Sequence, residues 1–169
     1  MIDRRRVVHL VLAATAMAAA WPLATAHAQQ SFQRFVPFLV DLSGWTGNKP
    51  DGMAMEMPGA SIVTATREYR RGDARINAQI VTGPAAQGAL GVTQSGMKIE
   101  TADMHMSASN IDGLQVARTF MVKDNSGAVI VALGTAAMFS LSFHGVAEDE
   151  ALAIARQFNW KAIQAAVPK

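Results

Sequence analysis

The chain is 169 residues long, half of them hydrophobic, with 15 Lys and Arg against 13 Asp and Glu and no cysteine. Without cysteine there is no disulfide framework and no lipid attachment through an N-terminal cysteine. A near balance of charge, with no basic run after the first residues, excludes a nucleic-acid surface or a lipid-binding patch.

The start reads as an export signal. Arg4, Arg5 and Arg6 form a basic head, an apolar run follows from Val7 to Ala20, and Ala26-His27-Ala28 offers a small-x-small cleavage pattern before Gln29. Cleavage after Ala28 is expected, which makes residues 1–28 a signal peptide and residues 29–169 one mature domain. The apolar run is too short to remain as a membrane span. Removing three Arg and one Asp leaves 12 basic and 12 acidic residues. Asp3-Arg4-Arg5-Arg6-Val7-Val8 also resembles a twin-arginine signal, so the route stays open between that and general export. The expected location is the periplasm. A mature chain of this size buries about two-thirds of its unfolded surface, enough for a core without covalent staples.

In the mature chain, Phe32, Phe35, Val36 and Leu39 fall at helical spacing, and Pro37 suits an early helical position. A helix is therefore expected from near Phe35 to just before Gly44. The segment TGNKPDG, 46–52, reads as a loop. From Ala60 the period changes to two. SIVTATREYRR reads as a strand, RGD as a tight turn, and ARINAQIV as the returning strand of a hairpin. Its Ile76, Ala78 and Ile80 point to the core, and Arg75, Asn77 and Gln79 point away. Residues 82–96 hold four glycines and a proline and read as mostly loop with room for a short helix. Strands resume with LQVARTFMVK, the turn DNSG, the apolar AVIVAL and then MFSLSFHG. In the last, Phe139, Leu141 and Phe143 face one way and Ser140, Ser142 and His144 the other. AEDEALAIARQF closes as a helix. Its Glu148, Asp149 and Glu150 complement the dipole, and Ala151, Ile154, Ala155 and Phe158 form a stripe that Trp160 and Ile163 continue. This order predicts an α+β domain: a single twisted antiparallel sheet with helices packed on one face.

Leu42-Ser43-Gly44-Trp45 together with Ala65-Thr66-Arg67-Glu68-Tyr69, a strand-rich half and a short acidic-start helix resembles an uncharacterised family of exported proteobacterial domains. That family carries a Gly-Trp opening and an A-x-R-x-Y strand. The resemblance implies an exported single domain and carries over no catalytic residue.

Chemistry concentrates in the methionines. If GMAMEM is extended, Met53, Met55 and Met57 share one face, with successive Cα atoms about 7 Å apart. Met104 and Met106 flank His105. Thioethers are soft donors that favour Cu(I), and an exported chain without cysteine would have to use Met or His to bind it. In a strand, His105 points away from Met104 and Met106, so all three meet one ion only in a loop. The competing reading is packing, because flexible Met fills irregular gaps in cores and at partner surfaces.

Other constellations carry less. No H-x-x-x-H, G-x-S-x-G or P-loop pattern occurs. Ser140, Ser142 and His144 alternate as a solvated strand face would. Arg67, Arg70 and Arg71 around Tyr69 would clasp an anion or form a charged hairpin end, with Arg67 and Tyr69 on one face and Arg70 on the other. The expectation is a small soluble periplasmic protein that is not an enzyme, has no cofactor, and binds a ligand or a periplasmic partner. The alternative is a Met-based Cu(I) binding or delivery protein.

Overall fold

The computed structural model describes residues 31–94 and 98–168, so the expected signal peptide, its expected cleavage pattern and Met97 lie outside the described residues. The elements are a 3-10 turn Val36–Phe38, β1 Thr46–Gly47, β2 Asp51–Met57, β3 Ala60–Arg71, β4 Ala74–Thr82, α1 Pro84–Gln94, β5 Lys98–Glu100, β6 Met104–Ile111, β7 Leu114–Met121, β8 Ser126–Ala132, β9 Ala137–His144, α2 Glu148–Ala155 and α3 Trp160–Ala166. All nine strands form one antiparallel sheet in the order β1-β3-β4-β9-β8-β7-β6-β5, with β2 beside β1 on the outer side of β3. The architecture is α+β.

The β3–β4 hairpin forms in the expected register, with Tyr69 opposite Ile76 and Ala65 opposite Ile80, around Gly72 at φ +59. The helix expected from Phe35 does not form. Helical residues 31–33 precede it, but over the expected span only the three-residue 3-10 turn forms, and the chain leaves it at Leu39, φ −85 and ψ 71. Tertiary donors explain this. The carbonyls of Leu39 and Val40 are taken by Arg67 and by the Tyr69 hydroxyl, while Phe35, Leu39 and Leu42 sink into the core.

The segment expected to be mostly loop holds α1. Gly83, at φ +92, turns the chain, and its carbonyl accepts from the amides of Ala86 and Gln87, with Pro84 at the first helical position. A Cβ on Gly83 would stand 2.1 Å from the Ser61 carbonyl oxygen, so only glycine fits there. The last helix divides in two. Asn159 accepts from the Ala162 amide and caps α3, breaking the stripe after Phe158.

Alternation gives the sheet two faces. One carries Ala65, Ile76, Ala78, Ile80, Val116, Val129, Val131, Phe139 and Leu141, which form a single cluster with Ala151, Ile154, Ala155, Phe158, Trp160 and Ile163 of the C-terminal helices. The C-terminal helices share this cluster and the helix Pro84–Gln94 does not. The other face is different. Ala86 and Leu90 of α1 are buried apart from that cluster, as are Val81 and Ala117, which alternation turns away from it. Topology supplies the reason. The connection from β4 to β5 must cross β9, β8, β7 and β6, and α1 makes the crossing, touching β3, β4, β9, β8, β7 and β6. Eleven residues of helix are about 16 Å long, whereas five strand spacings span about 24 Å in a flat sheet. The Ala and Gly content of α1 allows it to lie close to the sheet.

Candidate functional site

The second face collects the methionines. Register places Met53 opposite Thr64, Thr64 opposite Val81, and Val81 opposite Met138. On the far side Met104 pairs with Met121, and Met106 with Thr119. All seven Met of the described mature residues (53, 55, 57, 104, 106, 121 and 138) thus share the α1 face, while the opposite core uses Ile, Val, Leu and Phe.

They do not form one site. β2 and β6 are separated by β3, β4, β9, β8 and β7. The sequence left open whether Met104-His105-Met106 is strand or loop; it is strand, paired with β7. His105 consequently points to the other face, where its ring lies 6.1 Å from Phe120 and its Nδ1 3.3 Å from the Glu148 carboxylate. Met104 and Met106 are half-buried, as gap-fillers are. Met53, Met55 and Met57 are the most exposed large apolar side chains, at 55, 46 and 43%. They stand on an edge: among the described residues, β2 pairs only with β3. Met53 and Met57 start about 14 Å apart at Cα, the limit of what two extended thioethers and an ion between them span. Neighbouring sulfurs converge more easily than all three. Among the described residues, no group of three His, Asp or Glu side chains could hold a metal ion.

The arginines divide between structure and surface. Arg67 does not face solvent. Its guanidinium donates to the carbonyls of Asn48 (2.9 Å) and Leu39 (2.8 Å), pairs with Asp41, and lies 5.1 Å from the Tyr69 ring centroid. Tyr69 is fully buried and donates to the Val40 carbonyl at 2.7 Å. Burial pushes its phenol up to about 12, against the opposing charge and hydrogen bond of Arg67. Arg71 stacks 4.3 Å over Trp45 and pairs with Glu150 at 2.7 Å. The Gly-Trp opening and the A-x-R-x-Y strand are therefore two halves of one clamp that binds residues 39–48 to β3. Expecting Arg67, Arg70 and Arg71 to clasp one anion is corrected on this ground: two of the three are spent internally, and Arg70 lies on the opposite face.

Arg70 instead meets residues that are distant in sequence. Arg70 pairs with Arg75 across β3–β4, and Arg75 with His144 across β4–β9. The next row is Glu68, Asn77 and Ser142. These six side chains line a groove of about 340 Å³ on the α1 face. Sequence alternation had already turned Arg75 and His144 outward; what it lacked was the non-local β4–β9 pairing that makes them neighbours. The same limit hid the contacts of Glu148 with His105 and Arg118.

No protein family, curated protein or solved structure matches the chain.

Proposed function

We propose that this is a small exported, periplasmic protein without catalytic activity that works by binding, and that its principal recognition surface is the β2 edge. The leader-like start supports export. Among the described residues no helix is long and apolar enough to cross a membrane. One observation carries the surface: Met53, Met55 and Met57 stand exposed, in phase, on an edge strand whose other side has no strand partner among the described residues. Proteins guard such edges with Lys or bulges; β2 has no Lys and no bulge between Pro50 and Pro58, and its one charge within the methionine run, Glu56, stands exposed. Exposed thioethers in an oxidising compartment are also open to sulfoxidation. A covering strand satisfies the free edge and sets thioether beside thioether.

The occupant that β2 fits best is β2 of a second copy. Antiparallel pairing about a twofold axis at Ala54 sets Met53 opposite Met55 of the partner subunit and keeps all thioethers on one face. It places Glu56 opposite Gly52 of the partner subunit, so no like charges meet directly. Both prolines lie just outside the paired segment, where their missing N–H groups are harmless. Twofold pairing is the commonest form of self-association, and strand addition supplies its hydrogen bonds. Sedimentation of the exported protein tests the proposal directly.

A copper reading stands second, favoured by the exposure of the same three thioethers. Two sulfurs from each copy would meet at this seam and suit Cu(I). Substituting Leu for these methionines separates the readings: Leu keeps apolar volume and removes sulfur.

A further inference from the structure

We propose that the groove on β3, β4 and β9 is an anion site that takes a phosphate group. Arg70, Arg75 and His144 stand directly opposite one another on three adjacent strands, on one face. Paired Cα atoms are about 4.5–5.5 Å apart, so three basic groups fall within about 11 Å. Like charges in direct opposition destabilise a sheet. Among the described residues, none of the three has a hydrogen bond or ion pair that would offset this. Arg67 and Arg71, by contrast, are both engaged.

The second row completes the donor set. Asn77 and Ser142 are short, which leaves the sheet surface open between the flanking long side chains, and each carries a hydrogen-bond donor. Two guanidinium forks, an imidazole, an amide and a hydroxyl offer more donors than the two oxygens of a carboxylate accept. They match the oxygens of a tetrahedral phosphate. Glu68 is the one acidic group in the groove. Against two arginines it leaves the site positive, and it repels a fully ionised phosphate. The site therefore favours the monoanion of a phosphate monoester or of inorganic phosphate, whose remaining hydroxyl donates to the Glu68 carboxylate. A volume of about 340 Å³ suits the headgroup and little more. The groove lies at the far end of β3 from the segment that β2 covers, so this inference is independent of the β2 edge.

The test is calorimetry and amide NMR on the exported protein with inorganic phosphate and with glycerol phosphate, ionic strength held constant with chloride. Saturable binding is expected, with shifts centred on Arg70, Arg75, Ser142 and His144. Arg70→Gln and Arg75→Gln should each weaken it at least about tenfold, the effect of losing one charge-assisted contact. Glu68→Gln should tighten binding of ionised phosphate. Vesicles containing phosphatidic acid, whose phosphate is a monoester, compared with phosphatidylcholine alone, decide the source: co-sedimentation that Arg75→Gln abolishes assigns the site to a lipid headgroup, and binding of glycerol phosphate alone assigns it to a soluble ester. A linear, unsaturable response, or binding that survives the double Arg70→Gln, Arg75→Gln change, would overturn the proposal. Both glutamines stay on exposed strand positions and remove like-charge repulsion, so folding should survive the change.

Discussion

The clamp around Arg67 gives a prediction whose size follows from the geometry. Arg67→Met removes the guanidinium and keeps much of the apolar stem. Lost with it are the bonds to the Leu39 and Asn48 carbonyls, the pair with Asp41 and the contact with the Tyr69 ring. The Arg67 side chain is only 11% exposed whereas Asp41 is 91% exposed, so the ion pair itself contributes little. The two charged bonds to carbonyls contribute about 1.5–3 kcal/mol each, and a loss of about 3–5 kcal/mol is expected in urea unfolding. A double-mutant cycle isolates the contact. A Cβ at Gly47 would stand 2.8 Å from Arg67 Nη2, so Gly47→Ala should destabilise wild type by about 1–3 kcal/mol through overpacking. In the Arg67→Met background that penalty should largely vanish, giving a coupling of about 1 kcal/mol or more. Amide exchange at residues 39–48 should accelerate in Arg67→Met before the rest of the sheet opens. Additivity within about 0.3 kcal/mol, together with a loss below 1 kcal/mol for Arg67→Met, would refute the clamp.

Ile76→Ala and Ile80→Ala, at core positions 2% and 0% exposed, should each cost about 2–5 kcal/mol by denaturant titration; losses below about 0.5 kcal/mol at both would break the register. The Tyr69 phenol keeps its proton to a higher pH in the folded chain than in the unfolded one, about 12 against 10. Its contribution is therefore intact below pH 10 and falls away between pH 10 and 12, by about 3 kcal/mol; Tyr69→Phe should flatten that window in alkaline unfolding curves. Replacing Met53, Met55 and Met57 together by Leu should cost less than about 1.5 kcal/mol per site. It should leave self-association in place, and loss of Cu(I) retention against a chelator without loss of the dimer would assign the sulfurs to metal.

Much of the fold was legible in residues with strong local periods. Alternation fixed the β3–β4 hairpin and the inward set of β9, and the acidic start marked α2. What stayed hidden depended on partners far along the chain. Helical spacing at Phe32, Phe35, Val36 and Leu39 was overruled because Arg67 and Tyr69, about 30 residues on, take the carbonyls a helix would need. Residues 82–96 read as mostly loop with room for a short helix, yet Gly83 serves a close backbone approach and an eleven-residue helix, α1, crosses the sheet. The methionines show the same division. Their alternation in β2 could be read locally, whereas the five strands between β2 and β6 could not. Arg70, Arg75 and His144 became neighbours only through β4–β9 pairing.

The β2 edge is tested most directly by sedimentation equilibrium of the exported protein, wild type beside Met55→Lys, in the presence of a metal chelator. Lysine on an exposed edge blocks strand addition without entering the core. The proposal predicts a reversible monomer–dimer equilibrium for wild type at micromolar concentration, at least about tenfold weaker in Met55→Lys with an unchanged circular dichroism spectrum. A wild-type protein that stays monomeric up to about 100 micromolar, or a dimer that Met55→Lys leaves untouched, would contradict it.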